Sequence, residues 1–467
     1  MTAPPAAGHG LPARVAASVS AHLDDHIERL GWDSGRLASY QRDRLRGLLG
    51  HAAEHSRFHA RRLRGVDPAG FELADLPRLP VMTKSQMMAS FNQIVTDRRL
   101  ARSVVEAHLA ASDEPRLLFG EYVCLVSGGS SGLRGIFVQA LSEYTDFVAS
   151  IVRRGLARLR LAVRPPLEGL VIGLVGAASP AHSSGFAAAT ATGPPVRMIA
   201  APATLPLPEI VARLNAAQPP ALLGYPSKLA ELAREQREGH LRIGPSSVTA
   251  TAELLSAEDR AVIEDAFGVP VINQFVSTEG LAGQSQPGEM VFDFASDMCL
   301  VELVDADNQP VPEGVTSAKV LVTNLHNLTQ PLVRYELTDR FTARPGTPGT
   351  GHLRASVDGR ADDIFRYGDV DIHPHVIRSI LVTTPALREY QIRQTEHGIE
   401  AACVADPGID DAALAARLKQ ALSLAGIARP QADVRLVDSI ARDPRTGKAR
   451  RFIPSKAKGS RLTGPTQ

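Results

Sequence analysis

The chain has 467 residues, 44 % of them hydrophobic and 22 % charged, enough for two or three domains with sizeable apolar cores. Its 51 Lys and Arg face 50 Asp and Glu, a formal net charge of +1, which argues against nucleic acid or a membrane surface as the main partner. Three cysteines (Cys124, Cys299, Cys403) stand far apart without CxxC spacing, so neither a disulfide framework nor a zinc knuckle is expected.

The N-terminus, MTAPPAAGHG, lacks the basic start and apolar run of a secretory signal. No stretch of about 18 apolar residues occurs, and a cytoplasmic protein is expected. Residues 11 to about 65 carry long Arg/Leu/Ala-rich periodic runs and read as helices. From about 118 to 275 strands and helices alternate. The pattern predicts strands at 122–126, 170–175, 197–200, 221–224, 247–251 and 269–275, and helices at 208–218, 228–239 and 256–267. Ser256 opens the last helix with Asp259 three residues on, a capping box in which Asp stands in for Glu. Such alternation implies a mostly parallel sheet covered by helices. After Glu279 apolar runs at 298–304 and 318–323, joined by a turn at 305–309, suggest a small antiparallel or barrel-like region. The polar run VDGRADDIF at 357–365 marks a boundary, so the expected domains are 1–358 and 359–467. Beyond it, strands at 369–372, 389–394 and 399–404 and helices at 374–382 and 410–424 read as a small α+β lid. The expected class is α/β: a large N-terminal domain of parallel sheets with helices plus a small β-barrel, then the C-terminal lid.

Five segments carry chemistry. The loop Ser127-Gly128-Gly129-Ser130-Ser131-Gly132-Leu133-Arg134-Gly135 follows a strand. Its glycines let backbone N–H groups approach a phosphate, its serines add donors, and Arg134 can neutralise charge. The GxxxxGK[ST] spacing of a Walker loop is absent. Phe275-Val276-Ser277-Thr278-Glu279-Gly280 sits just past a strand end, where a carboxylate after two hydroxyls is placed to hold Mg²⁺ beside a nucleotide. The run RYELTDR at 334–340 offers Asp339, an acceptor suited to paired ribose hydroxyls. Gly359-Arg360-Ala361-Asp362-Asp363 lies at the domain boundary, and RTGKAR at 445–450 sets Lys448 on a glycine turn. Taken singly, each has a plainer reading as a flexible turn, a cap, a surface ion pair or a solvated tail. Their order and spacing distinguish them.

Together the five resemble the adenylate-forming superfamily of acyl-CoA synthetases, peptide-synthetase adenylation domains and luciferases, over about 118–452. SGGSSGLRG is similar to its phosphate loop SGTTGxPK, FVSTE to YGxTE, RYELTD to YRTGD, GRADDI to the hinge GRxDDxI, and RTGKARR to the catalytic-lysine motif. HAAEHSRFHARRL and LVRYELTDRF look most like the phenylacetate–CoA ligase and coenzyme F390 synthetase branch.

The resemblance implies that Ser127, Gly128, Gly129, Ser130, Ser131, Gly132 and Arg134 cradle ATP phosphates, that Thr278 contacts the α-phosphate, and that Glu279 binds Mg²⁺. It implies further that Asp339 holds the ribose, that Arg360 and Asp362 form the hinge of a mobile lid, and that Lys448 enters the site in one lid orientation. His182, Tyr225, Phe275 and Val276 resemble acid-pocket positions, and Glu253 an adenine-contact position. The implied reaction activates a carboxylic acid, aromatic by branch, as acyl-AMP with release of pyrophosphate, then transfers it to a thiol such as CoA or to an amine. Two alternatives stay open: an ATP-dependent diazotase that activates nitrite for an aryl amine, and a non-catalytic nucleotide-binding homologue. The sequence leaves the oligomeric state open.

This chain departs from the pattern in several places. Gly129 stands where Thr is usual, Arg134-Gly135 replaces Pro-Lys, and Val276 replaces a glycine, which should crowd the acid pocket. The stretch 283–297, where some relatives carry Cys and His zinc ligands, holds Ser285 and Asp293 instead, so no zinc is expected. The lid segment GDVDIHPHVIRSIL lacks the acidic residue typical of CoA ligases, which weakens CoA against an amine.

Overall fold

The computed structural model describes residues 10–111, 114–127, 135–162, 170–177, 179–193, 196–360, 363–372, 374–382, 384, 387–444 and 446–455. It divides into two compact units, Met1–Gly359 with Pro444–Gly447, and Arg360–Asp443 with Lys448–Gln467. The expectations for Gly128, Gly129, Ser130, Ser131, Gly132, Arg134 and Asp362 fall outside the described residues.

In the first unit two long helices, Leu11–Glu28 and Ser34–His55, come first. The second starts where Asp33 accepts a hydrogen bond from Arg36 N at 2.8 Å, an N-cap that satisfies one of the helix's orphan donors. A two-stranded hairpin follows, β1 (Tyr122–Val126) and β2 (Ile136–Ala140), antiparallel with Val126 opposite Ile136. The Gly/Ser loop lies between these two strands in the sequence.

A ten-stranded sheet forms the body. Its strands in chain order are β3 (Leu170–Val175), β4 (Thr192–Gly193), β5 (Val196–Ala200), β6 (Ala221–Gly224), β7 (Ser247–Thr251), β8 (Val271–Val276), β9 (Ala282–Ser285) and β10 (Val291–Phe294). Three further strands, β11 (Cys299–Val304), β12 (Lys319–Asn324) and β13 (Tyr335–Leu337), make a separate antiparallel sheet. The last two, β14 (Asp339–Ala343) and β15 (Arg354–Arg360), rejoin the large sheet, whose order is β14-β15-β10-β9-β8-β7-β6-β3-β5-β4. Within it β8-β7-β6-β3-β5 is a parallel block.

Parallel strands need crossovers, and the helices Leu207–Ala217, Pro226–Arg237 and Ala257–Phe267 supply them. Their apolar stripes and the strands share one core of Val175, Leu214, Leu222, Leu229, Val248, Ile263 and Val271. Ser256 Oγ accepts from Asp259 N at 2.9 Å at the start of the last helix, and Gly268 ends it at φ +69°.

The polar run at 357–365 is not a linker throughout. Its first part belongs to β15, which pairs with β10. A paired strand satisfies its backbone in the ladder, so polar side chains do not prevent it. In the second unit β16 (Phe365–Tyr367) pairs β17 (Val370–Ile372), and the helices Pro374–Val382 and Asp411–Leu424 pack on a sheet of β18 (Leu387–Gln394), β19 (Gly398–Ala405), β20 (Gln431–Leu436) and β21 (Phe452–Ile453). Among the described residues no helix is long and apolar enough to cross a membrane.

Candidate active site

Adjacent parallel strands end at one edge of the sheet, and the chemistry-bearing residues follow those ends. Tyr225 comes directly after β6, Glu253 two residues after β7, and Thr278 and Glu279 just past β8. Glu253 Oε2 accepts from Ser227 N at 3.3 Å, so the β7 exit touches the first turn of the helix that follows Tyr225. Ala252, between β7 and Glu253, holds φ +66°, a left-handed backbone uncommon for a residue with a Cβ. Tyr225 is buried, and its N–H donates to Val175 O at 3.2 Å.

Glu279 sits in a tight turn. Ser277 N donates to Leu281 O at 2.9 Å and Gly280 N to Ser277 O at 3.1 Å. Gly280 holds φ +102°, and a Cβ there would lie 2.1 Å from Asn324 Nδ2. Only glycine meets both demands. Cys299 Sγ donates to Gly280 O at 3.3 Å, and burial pushes that thiol's pKa well up, so it stays a protonated donor. Glu279 itself is 7 % exposed. A carboxylate with a neighbouring hydroxyl at a strand end is the hard-oxygen set that Mg²⁺ takes.

The hairpin end carries the phosphate-loop candidates. Ser127 Oγ accepts from Gly135 N at 3.0 Å and from Lys84 Nζ at 3.2 Å. Lys84 opens the helix Lys84–Ala89, whose start is fixed by a Thr83–Gln86 capping box. Met82 N donates to Arg334 O and Glu336 N to Met82 O, each at 2.9 Å, so the Lys84 segment is zippered onto the RYELTD run. Arg334 anchors this zipper. Its guanidinium grips both oxygens of Glu302 (3.0 and 2.9 Å) and donates to Pro77 O at 2.8 Å and Leu79 O at 2.5 Å. These four bonds hold it at φ +49°. Asp339 follows at the start of β14, half-buried. On the other side Val126 N donates to Ala181 O at 2.8 Å, which brings the turn before His182 to the end of β1. His182 caps the helix Ser183–Thr190 through its backbone and is half-buried.

Phe275 is half-buried and packs against the core. Its ring meets Phe292, Phe294 and Phe341 edge-on, with centroids 5.4 to 6.3 Å apart. Val276 ends β8 half-buried. Ser285 Oγ accepts from Asn273 N at 2.9 Å and donates to Gln286 O at 2.8 Å. Asp293 accepts from Thr347 Oγ1 at 3.1 Å and lies 3.5 Å from Arg154.

In the second unit Lys448 lies on a loop closed by Asp443 N donating to Lys448 O at 2.9 Å, with Gly447 at φ +71°. Gln391 Nε2 pins this loop to β18, donating to Ala441 O (3.2 Å) and Arg450 O (2.9 Å). Arg360 ends β15, half-buried.

No family model matches the chain. It is similar to the protein CapK of Staphylococcus aureus, 20 % identical over 334 residues, which cover 68 % of this chain and 65 % of CapK. The chain thus spans slightly under two thirds of that relative's length. Among solved structures it is similar to a 2-hydroxyisobutyryl-CoA ligase in the postadenylation state in complex with R3-HIB-AMP, with a TM-score of 0.69, 20 % identity, and coverage of 92 % of this chain and 91 % of that one. It is also similar to a benzoate CoA ligase from Burkholderia xenovorans LB400, with a TM-score of 0.50, 17 % identity, and 70 % and 67 % covered. The chain has the fold of the adenylate-forming ligases.

Within that fold, motif reading overlooks Lys84 and the buried amides at 324–330. A sequence signal for Lys84 exists, since Thr83 and Gln86 spell a capping box immediately around it. The amides carry a weaker one, because TNLHNLTQP resembles any polar loop.

Proposed function

We propose that the chain is an ATP-dependent, adenylate-forming ligase that activates a carboxylic acid as acyl-AMP and passes the acyl group to CoA or an amine. One observation carries the reading. A buried carboxylate, Glu279, stands past the end of the parallel strand β8, with Glu253 past the end of its neighbour β7 and Tyr225 past the end of β6, the next strand over. The only described residue of the Gly/Ser loop before Gly135, Ser127, carries the ammonium of Lys84 on its hydroxyl.

In the first half-reaction a carboxylate oxygen attacks the α-phosphorus, the bond to the bridging oxygen breaks, and pyrophosphate leaves with the electron pair. Bound Mg²⁺ would neutralise charge on the phosphate oxygens. Glu279 and Thr278 would hold that ion, Asp339 would accept from the ribose hydroxyls, and Lys84 with the loop N–H groups would bind the β- and γ-phosphates. Lys448, on the lid, would stabilise the charge that builds at the α-phosphate. In the second half-reaction the acceptor attacks the acyl carbon and AMP leaves. The acid is aromatic in our reading, because the two flanking segments resemble the phenylacetate–CoA ligase branch.

The test is pyrophosphate–ATP exchange with a panel of aryl and short-chain acids, followed by product analysis with CoA, amines, or nitrite plus an aryl amine. Acid-dependent exchange followed by thioester or amide is expected. Exchange with no acid in the panel would leave the non-catalytic homologue standing, and nitrite-dependent diazo product would favour the diazotase.

A further inference from the structure

The run 324–330 is buried, yet it carries three amide side chains, with Asn324 1 %, Asn327 3 % and Gln330 0 % exposed. Buried amides persist when their hydrogen bonds are met, and here the partners form a pattern. At one end Asn324 Nδ2 donates to Glu279 O at 2.9 Å. Its Oδ1 accepts from His326 N and Asn327 N, each at 3.0 Å, which folds the run into a tight loop. Asn327 Oδ1 in turn accepts from Gln330 N at 2.8 Å.

At the other end the amides act as a strand. Asn327 Nδ2 donates to Val138 O at 3.0 Å, Gln330 Oε1 accepts from Val138 N at 2.8 Å, and Gln330 Nε2 donates to Ile136 O at 3.1 Å. These bonds satisfy the edge of β2 that β1 leaves open. Glu143 fastens the loop to the same hairpin, accepting from Leu328 N (2.8 Å) and Thr329 N (3.1 Å) with one oxygen and from Ala140 N (2.7 Å) with the other.

One hydrogen-bonded spacer therefore joins the Glu279 turn to β2, which starts directly after Gly135. We propose that Asn324 is a positioning residue that sets the Glu279 turn relative to the hairpin end at Ser127 and Gly135, so that the affinity for a divalent cation beside bound nucleotide depends on it. This rests on the reading of Glu279 given above. Mg²⁺ accepts little departure from octahedral geometry, so a carboxylate displaced by a fraction of an ångström loses the ion before it loses the nucleotide. Gly280 belongs to the same device, since any Cβ there would collide with the amide it has to admit.

The experiment uses the full chain, a fluorescent non-hydrolysable ATP analogue, and Mn²⁺ followed by its EPR signal. Asn324→Ser and Asn324→Asp remove the donor to Glu279 O. Gly280→Ala pushes the amide away from the turn and serves if either Asn324 variant folds poorly. Leu214→Ala, which opens a cavity in the buried core of the parallel block, is the control for general loss of stability. The Asn324 variants are expected to weaken Mn²⁺ binding to the protein–analogue complex about tenfold, the cost of one buried bond left unmade. Analogue affinity in EDTA should be unchanged, and the control should keep wild-type Mn²⁺ affinity. Unaltered Mn²⁺ affinity in the Asn324 variants, or an equal loss in the control, would overturn the proposal and leave the loop a scaffold. Wild type that binds the analogue no better with Mn²⁺ than without would fail the functional reading itself, a result visible before any variant is made.

Discussion

Lys84 offers the most direct measurement of the phosphate site. Replacing it with Met keeps the aliphatic stem and removes the ammonium that stands 3.2 Å from Ser127 Oγ. An ammonium about 4 Å from one phosphate charge gains about 4 kcal/mol at an effective dielectric of 20 and about 1 in bulk water. Lys84 is half-buried, so the working value lies between these, and part of it is offset by desolvating the cation. About 1.5–3 kcal/mol remains, or roughly 10- to 100-fold in kcat/KM for ATP. The proposed contact is with phosphates that leave as pyrophosphate, so KM for the acid should hardly move. Stability should hold as well, because the capping box that starts the helix uses Thr83 and Gln86, not Lys84. The assay is pyrophosphate exchange at varied ATP with a saturating acid, alongside a melting curve. Unchanged kcat/KM for ATP in a folded Lys84→Met protein would refute the placement of phosphate at Ser127.

Lys448→Ala should slow adenylation by about 100-fold or more while leaving transfer from a supplied acyl-adenylate nearly intact; equal losses in both half-reactions would contradict a lysine that serves only the first. Asp297→Ala strips the partner from Arg153, whose guanidinium meets both Asp297 oxygens at 2.7 and 2.6 Å with side chains 1 % and 0 % exposed. A loss of about 3–5 kcal/mol is expected, read from urea unfolding by the fluorescence of the single tryptophan, Trp32, and a loss below about 1 kcal/mol would place the pair among surface ion pairs. Stability should also fall as pH drops from about 6.5 toward 4. Burial lowers His59 to about 3 and His326 to about 4, and for His59 the Arg62 guanidinium adds to the shift. Both rings stay neutral when folded and take a proton when unfolded, so their contribution is complete above 6.5 and is lost as pH falls toward the folded values. His59→Gln, which can still donate to Pro331 O, should flatten the slope of melting temperature against pH between 6.5 and 5, and an unaltered slope would contradict the assignment.

The parallel block was open to sequence reading because strands such as Leu170–Val175 spell continuous apolar runs and alternate with helices that carry an apolar stripe. The helix Leu141–Ala162 escapes that reading. It starts directly from β2 with no cap residue in front, and Glu143 supplies the cap from inside by accepting Ala140 N. The pair Arg61-Arg62 reads as solvated surface, yet Arg62 donates to Pro80 O and stacks over Phe58 at 5.2 Å, because a guanidinium can bury its plane while its edge stays bonded. Phe275 reads as a pocket wall, but the ring is fixed by three others that lie 17 to 66 residues further along the chain. No local pattern reveals such company.

The same distinction separates what the motifs specify from what they leave open. Under the proposed function a phosphate, a ribose and a hard cation each demand particular atoms, and those demands would fall on Ser127, Asp339 and Glu279, single residue types beside strand ends. An acid pocket demands a shape, and a shape is made by residues that also serve the core. Val276 ends β8 next to Phe275, whose ring is locked among Phe292, Phe294 and Phe341. If Val276 walls the acid pocket as proposed, that wall is backed by close-packed aromatics of β10 and β14 and cannot yield to a larger substrate without moving those strands. On the proposed reading, the identity of the acid would depend on the packing of side chains far apart in the sequence, and the adenylation chemistry on short motifs. A chain 20 % identical to a solved structure can therefore share its fold and leave its substrate to be found by experiment.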